Sequence, residues 1–110
     1  SLHRPKAVKV DPVKGDKTIE ANKMEFHTKK DTIYLYEDVV VVSNDPKKGP
    51  TIGKGEKGKI LTKENVAELE NNAVIDSPEA ILYADKVIYN MDTKKARATG
   101  DKVRVDYKKK

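Results

Sequence analysis

Apolar and charged residues alternate along much of this chain, in runs that stop at similar polar landmarks. Thr18 to Phe26, Lys59 to Leu61 and Ile81 to Tyr89 have a period of two, which puts successive side chains on opposite faces of a strand. Each run leads into a polar turn, "HTKKD", "TKEN" or "NMDTKK". A second, β-branched or aromatic run follows: "TIYLYEDVVVV", "VAELENNAVI" and "ARATGDKVRV". Asp38, Asn71-Asn72 and Gly100-Asp101 interrupt these second runs at equivalent places. Such an interruption predicts a bend or bulge that carries the strand from one sheet to the other. "AVKV" and "DPVKGD" make a further strand and turn, and "SNDPKKGP" and "DSPE" are loops. The pattern calls for no helix. It predicts an all-β chain of about eight short strands in stacked antiparallel hairpins, forming a twisted open jellyroll or half-pipe.

The alternation is also a repeat. Residues 21–42, "ANKMEFHTKKDTIYLYEDVVVV", lie over 84–105, "ADKVIYNMDTKKARATGDKVRV", without a gap. Ala21, Lys23, Asp38, Val40 and Val42 meet Ala84, Lys86, Asp101, Val103 and Val105. A degenerate copy, "GEKGKILTKENVAELENNAVI", begins at Gly55. The expected organisation is one domain over 1–110, with repeats at about 18–43, 52–76 and 81–107. The degenerate copy contains "TIGKGEKGKI", whose Gly53-x-Gly55-x-x-Gly58 has the spelling of a dinucleotide-binding turn. A phosphate loop needs a buried strand before the glycines and a βαβ unit around them, whereas only Thr51-Ile52 follow Pro50 here. "TKENVAELEN", with Thr62 as a cap, is the one segment that reads as a helix in its favour.

Composition narrows the classes further. With 36% hydrophobic and 37% charged residues, the chain suits a sheet with one covered and one wet face. It has no cysteine, so neither a disulfide framework nor a thiolate metal site arises. The net charge of +5 invites an anionic partner, but the lysines sit in pairs at turns: Lys29-Lys30, Lys47-Lys48, Lys94-Lys95 and the terminal Lys108-Lys109-Lys110. Solubilising tips and protected sheet edges account for them. No apolar run reaches the roughly 20 residues of a membrane helix, and no signal peptide is readable in the sequence, whose Ser1 suits a processed or trimmed start. His3 and His27 lie in a tail and a turn without a nucleophile or carboxylate at catalytic spacing, and no metal-ligand cluster is readable. No enzyme activity and no cofactor are expected. A basic β-barrel that binds nucleic acid through Tyr34, Tyr36, Tyr83, Tyr89 and Tyr107 is the alternative, although these tyrosines fall on both parities of their strands. A purely structural β-repeat protein is a third class.

The run Ala-Asp-Lys-x-x-Tyr, a polar turn, then Thr-Gly-Asp-x-Val-x-Val at Ala84 to Val105 resembles the repeat of the OstA-like lipopolysaccharide-transport family. That family includes the periplasmic domains LptA and LptC and the matching part of the outer-membrane translocon. "KKGPTIGKGEKGKI" and "ELENNAVI" are similar to the LptC branch in particular. The likeness covers about Lys17 to Tyr107, in a chain shorter than the usual family jellyroll. The resemblance implies transport of lipopolysaccharide or a related glycolipid across the periplasm. Its implied partners are the acyl chains, further jellyroll domains joined by edge-strand pairing, and an inner-membrane transporter complex, with no nucleic acid. Any anchor to the inner membrane would lie in a segment absent from this chain. The first strand (Ala7 to Val10) and the last (Lys102 to Tyr107) are the expected docking edges.

A trough that is apolar inside and charged outside would shield such chains. Exposing about a dozen carbons costs about 10 kcal/mol at ~0.8 kcal/mol per methylene. The expected lining is Ile19, Ala21, Met24, Phe26, Ile33, Leu35, Val40, Val42, Ile60, Leu69, Val74, Leu82, Ala84, Val87, Tyr89, Val103 and Val105. An ordinary sandwich core is the competing reading of each position. The parity of Val39-Val40-Val41-Val42 stays open, because the repeats differ there by one residue.

Overall fold

A computed structural model of the chain describes residues 5–10, 12–13 and 15–108. His3, Asp11, Lys14, Lys109 and Lys110 lie outside the described residues. The strands are β1 (Lys6–Lys9), β2 (Lys17–Glu20), β3 (Lys23–His27), β4 (Thr32–Asp45), β5 (Gly49–Leu61), β6 (Val66–Asp76), β7 (Ala80–Asn90), β8 (Lys95–Thr99) and β9 (Arg104–Tyr107). A 3₁₀ turn at Thr28–Lys30 is the only helical element among the described residues. All pairings are antiparallel, in the order β1-β2-β4-β5-β6-β7-β8, with β3 added to β4 and β9 to β7.

The four long strands each serve two leaves. Thr32 to Tyr36 of β4 pairs with β3, while its stretch from Val40 to Ser43 pairs with β2. Lys86 to Asn90 of β7 pairs with β8, and Ala80 to Tyr83 pairs with β9. Leaf one therefore runs from β3 to β8 and leaf two from β1 to β9, joined along a bend. The ladder slips between Tyr36 and Val39, between Lys54 and Lys57, and between Glu70 and Ala73. At these slips Glu37-Asp38 of β4 and Asn71-Asn72 of β6 adopt left-handed backbone, which inserts one residue more than β5 or β7 does at the same line. Asn tolerates that conformation because its short amide bonds locally. Gly100, at φ +132°, makes the corresponding passage from β8 to β9, and the Asp101 N–H donates to Asp85 Oδ2 at 3.0 Å. The bend is thus a line of exposed acidic and amide residues, as the strand interruptions predict.

Between the leaves lies one apolar cluster that includes Ala21, Leu35, Val39, Val41, Ile60, Leu69, Ala73, Ile75 and Val87. The glycine run sits in the middle of β5, and residues 62–65 after it form a turn into β6, so neither the phosphate loop nor the helix at Thr62 forms. The glycines serve packing. A Cβ on Gly53 would come within 2.8 Å of Leu69 Cδ1, and one on Gly58 within 3.1 Å of Val39 Cγ1. Leaf one's outer face carries the ion pairs Lys59–Glu68 (3.7 Å) and Lys86–Glu68 (3.4 Å), in which Glu68 is partly covered, and the exposed pair Lys86–Glu70 (3.6 Å), worth about 0–1 kcal/mol.

Candidate functional site

The expected lining residues divide by position. Leu35, Leu69, Val87, Ala21 and Ala84 are sealed in the middle of the cluster. Ile19, Ile33 and Ile60 border one cleft, and Leu82 and Tyr89 border another. Met24 is cross-strand from Leu35 and packs against the cluster. Phe26, Val103 and Val105 are 62%, 49% and 42% exposed, on or beside edge strands. Val40, Val42 and Val74 belong to the opposite face. Val40 is paired with Glu20 and Lys54, Val42 with Thr18 and Ile52, and Val74 with Lys54 and Tyr83. Directly paired residues share a face, and the buried parity is that of Val39, Val41, Ala73 and Ile75. The left-handed doublets are the reason. With two exposed residues inserted on β4 and β6, the inward parity resumes unchanged after the bend, where a single break would have shifted it by one.

Each cleft spans both leaves and has a volume of about 270 Å³. The first lies under β1 and β2 and is walled across the gap by Ile33, Ile60, Thr62, Asn65 and Met91. The second lies between the β4–β5 and β6–β7 turns and Tyr89, Lys94 and Ala96. Between them, beside Val41, Gly53, Leu69 and Tyr89, is a void of about 10 Å³, room for about one water molecule at most. The turn from β7 to β8 separates the clefts, since Met91 lines one and Lys94 the other.

Polar contacts bridge the leaves at the rims. Lys9 Nζ donates to Asn65 Oδ1 at 3.1 Å, and Lys94 Nζ donates to Ser43 Oγ at 2.7 Å. Two buried polar atoms have no hydrogen-bond partner among the described residues, Lys17 Nζ and Tyr89 Oη. Burial pushes the Tyr89 phenol above its ordinary value; the nearby Thr51 side chain opposes this without reaching hydrogen-bonding geometry. At the rim of the second cleft, the Lys47 and Lys48 backbone N–H groups donate to Asp45 Oδ1 at 2.8 and 3.1 Å. These bonds, with Lys94 nearby, hold the Asp45 carboxyl below the usual carboxylate range. Sequence reasoning missed Lys17, although its spacing from Ile19 and Ala21 was the available signal.

The tyrosines do not form one stacking surface. Tyr34 meets the His27 ring edge-on at 4.7 Å, Arg104 covers the Tyr83 ring at 4.2 Å, and Tyr89 is buried.

Comparison with known proteins accords with this architecture. Residues 8–95 match the family model described as LptA/(LptD N-terminal domain) LPS transport protein. No curated protein sequence matches the chain. The crystal structure of LptH from Pseudomonas aeruginosa is described as the LptA-homologous periplasmic component of the conserved lipopolysaccharide transport device. It is similar with a TM-score of 0.71 at 12% sequence identity, over 97% of this chain and 96% of that one. At that identity the likeness bears on the fold, and its coverage leaves no shortfall of length against that structure. The matched model describes LptA and the N-terminal domain of LptD and does not single out the LptC branch. No helix among the described residues is long and apolar enough to cross a membrane. An open, bent antiparallel sheet matched by that model over most of its length makes this chain a member of the LptA/LptD N-terminal lipopolysaccharide-transport protein family.

Proposed function

We propose that the protein carries lipopolysaccharide or a related glycolipid across the periplasm, holding its acyl chains between the two leaves while sugars and phosphates stay in water. The observation that supports this most directly is the pair of clefts that open from the apolar interior on either side of a packed middle. Removing an alkyl chain from water at ~0.8 kcal/mol per methylene is the driving force. In this reading the clefts are the ends of one trough, and cargo joins them by parting the leaves at the Lys9–Asn65 and Lys94–Ser43 bridges. β1 and β9 bound leaf two, and β3 and β8 bound leaf one, each with one edge unpaired among the described residues. Pairing of such an edge with a neighbouring jellyroll would continue the trough toward the inner-membrane transporter or the outer membrane.

Photo-cross-linking in cells tests the reading. Probes at Ile19, Ile60 and Leu82, on the inner face, are expected to yield a lipopolysaccharide-sized adduct, and a probe at Val42, on the outer face, is not. Equal labelling from Val42, or none from the inner positions, would overturn it.

A further inference from the structure

Lys17 is only 2% exposed, and its Nζ has no hydrogen-bond partner among the described residues. An ammonium group taken out of water is costly unless an opposite charge meets it. A lysine side chain ordinarily escapes by extending its head to solvent, and this one does not. Its cross-strand neighbours are Lys9 and Ser43, and neither offers a negative charge. Lys9 Nζ is engaged by Asn65, and Ser43 Oγ already accepts from Lys94. Among the described residues the row therefore gathers cations around an unmatched one, at a cleft whose other walls include Ala7, Ile19, Ile33, Ile60 and Met91.

We infer that the cleft under β1 and β2 binds one anionic amphiphile, a carboxylate or phosphate monoester on a single alkyl chain. The head pairs with Lys17, and the chain lies against Ile33 and Ile60. The charge selects an anion, and the walls select one that carries an apolar chain, since a free inorganic ion would lose its hydration beside aliphatic carbon. The volume, about 270 Å³, is just under the ~300 Å³ at which small-molecule pockets begin, which suits one chain and not several. This ligand is distinct from a cargo whose phosphates stay in water, so the inference goes beyond the transport reading and rests on it only for the apolar nature of the trough.

The test measures binding of dodecanoate, dodecyl phosphate and dodecyl maltoside, all below their micellar concentrations, and of inorganic phosphate, by titration calorimetry. The proteins are wild type, Lys17→Met and Lys17→Gln. Wild type is expected to bind both anionic amphiphiles at least tenfold more tightly than the maltoside and not to bind inorganic phosphate. Both variants are expected to lose that preference while melting no earlier than wild type, because a buried unpaired charge has been removed. Equal binding of all three amphiphiles by wild type, or a preference kept by the variants, overturns the role of Lys17 and leaves the trough standing. Inorganic phosphate bound as tightly as the amphiphiles marks a free-anion site and overturns the proposal. Binding of none of the three amphiphiles overturns the trough reading together with it.

Discussion

The packed middle and the cleft under β1 and β2 are built from the same kind of residue, yet one is closed and the other is not. In the middle, β4 to β7 run unbroken through the bend, so the two leaves are held at a fixed separation by four continuous chains. Gly53 and Gly58 let Leu69, Ile75, Val39 and Leu35 approach the β5 backbone, and the interior fills. At the cleft the strands are β1 and β2, four residues each, and the chain leaves β2 at Ala21 before resuming as β3 in the other leaf. There the leaves are joined only through the short link Ala21-Asn22 instead of through an unbroken strand, and a small residue, Ala7, lines the gap. Continuity of strands through the bend gives stability, and its lack at the margin gives room.

Charge placed in each region separates them most sharply. Leu35 is 0% exposed, so Leu35→Glu buries a carboxylate with no partner and should cost several kcal/mol, out of the roughly 5–15 kcal/mol typical of a domain. Circular dichroism should find that variant largely unfolded. Ile19, at 9% exposed beside the cleft, has water within reach, so Ile19→Glu should fold and lose lipid binding instead. A folded Leu35→Glu protein would mean that the middle is not sealed.

The glycines come next. Gly53→Ala puts a methyl 2.8 Å from Leu69 Cδ1 and 3.1 Å from Ile75 Cδ1. Overpacking of this kind costs about 1–3 kcal/mol, read as a lowered denaturant midpoint with an unchanged slope. A substitution at the bend should have a smaller effect. Asn72→Gly should be neutral within about 0.5 kcal/mol, whereas Asn72→Val forces a β-branched residue to φ +58° at about 1–2 kcal/mol. If both variants behave alike, the left-handed doublet does not set the bend.

These positions also mark how far the sequence could be read. The alternation identified the all-β class and the interrupted strands, and Ile19 and Ala21 stood out because Thr18, Glu20 and Asn22 flank them, whereas Leu82, Val87 and Tyr89 have the apolar neighbours Ile81, Tyr83 and Ile88. It failed where both faces are apolar. Val39 to Val42 offers no contrast, and whether one or two residues occupy the bend decides which pair points inward. Asn71-Asn72 carried a readable left-handed preference, and Glu37-Asp38 a weaker one. Lys17 was legible by parity with Ile19 and Ala21, but a lone lysine in an alternating run reads as an outward residue. Gly53 and Gly58 suggested a ligand only because their opposing side chains are invisible until β4 and β6 are placed against β5.

The smallest expected effect lies at the rim of the second cleft. Asp45 closes the β4–β5 turn by accepting the Lys47 and Lys48 N–H groups, which lowers its pKa from the ordinary 3.8. A carboxyl with a depressed folded pKa favours the fold above its unfolded value, and that contribution disappears as pH falls through the folded one. Wild type should therefore lose a little more stability than Asp45→Asn as pH drops from about 5 to about 2. Asn keeps an acceptor oxygen for the turn, so the difference isolates the charge. Because the turn is exposed and remote from Leu35 and Val87, the loss should show as faster amide exchange at residues 46–49, with the central amides of β4 and β5 unchanged. Exchange that spreads into the central strands would mean that rim and middle open together, and the contrast between a fixed interior and a loose margin would fail.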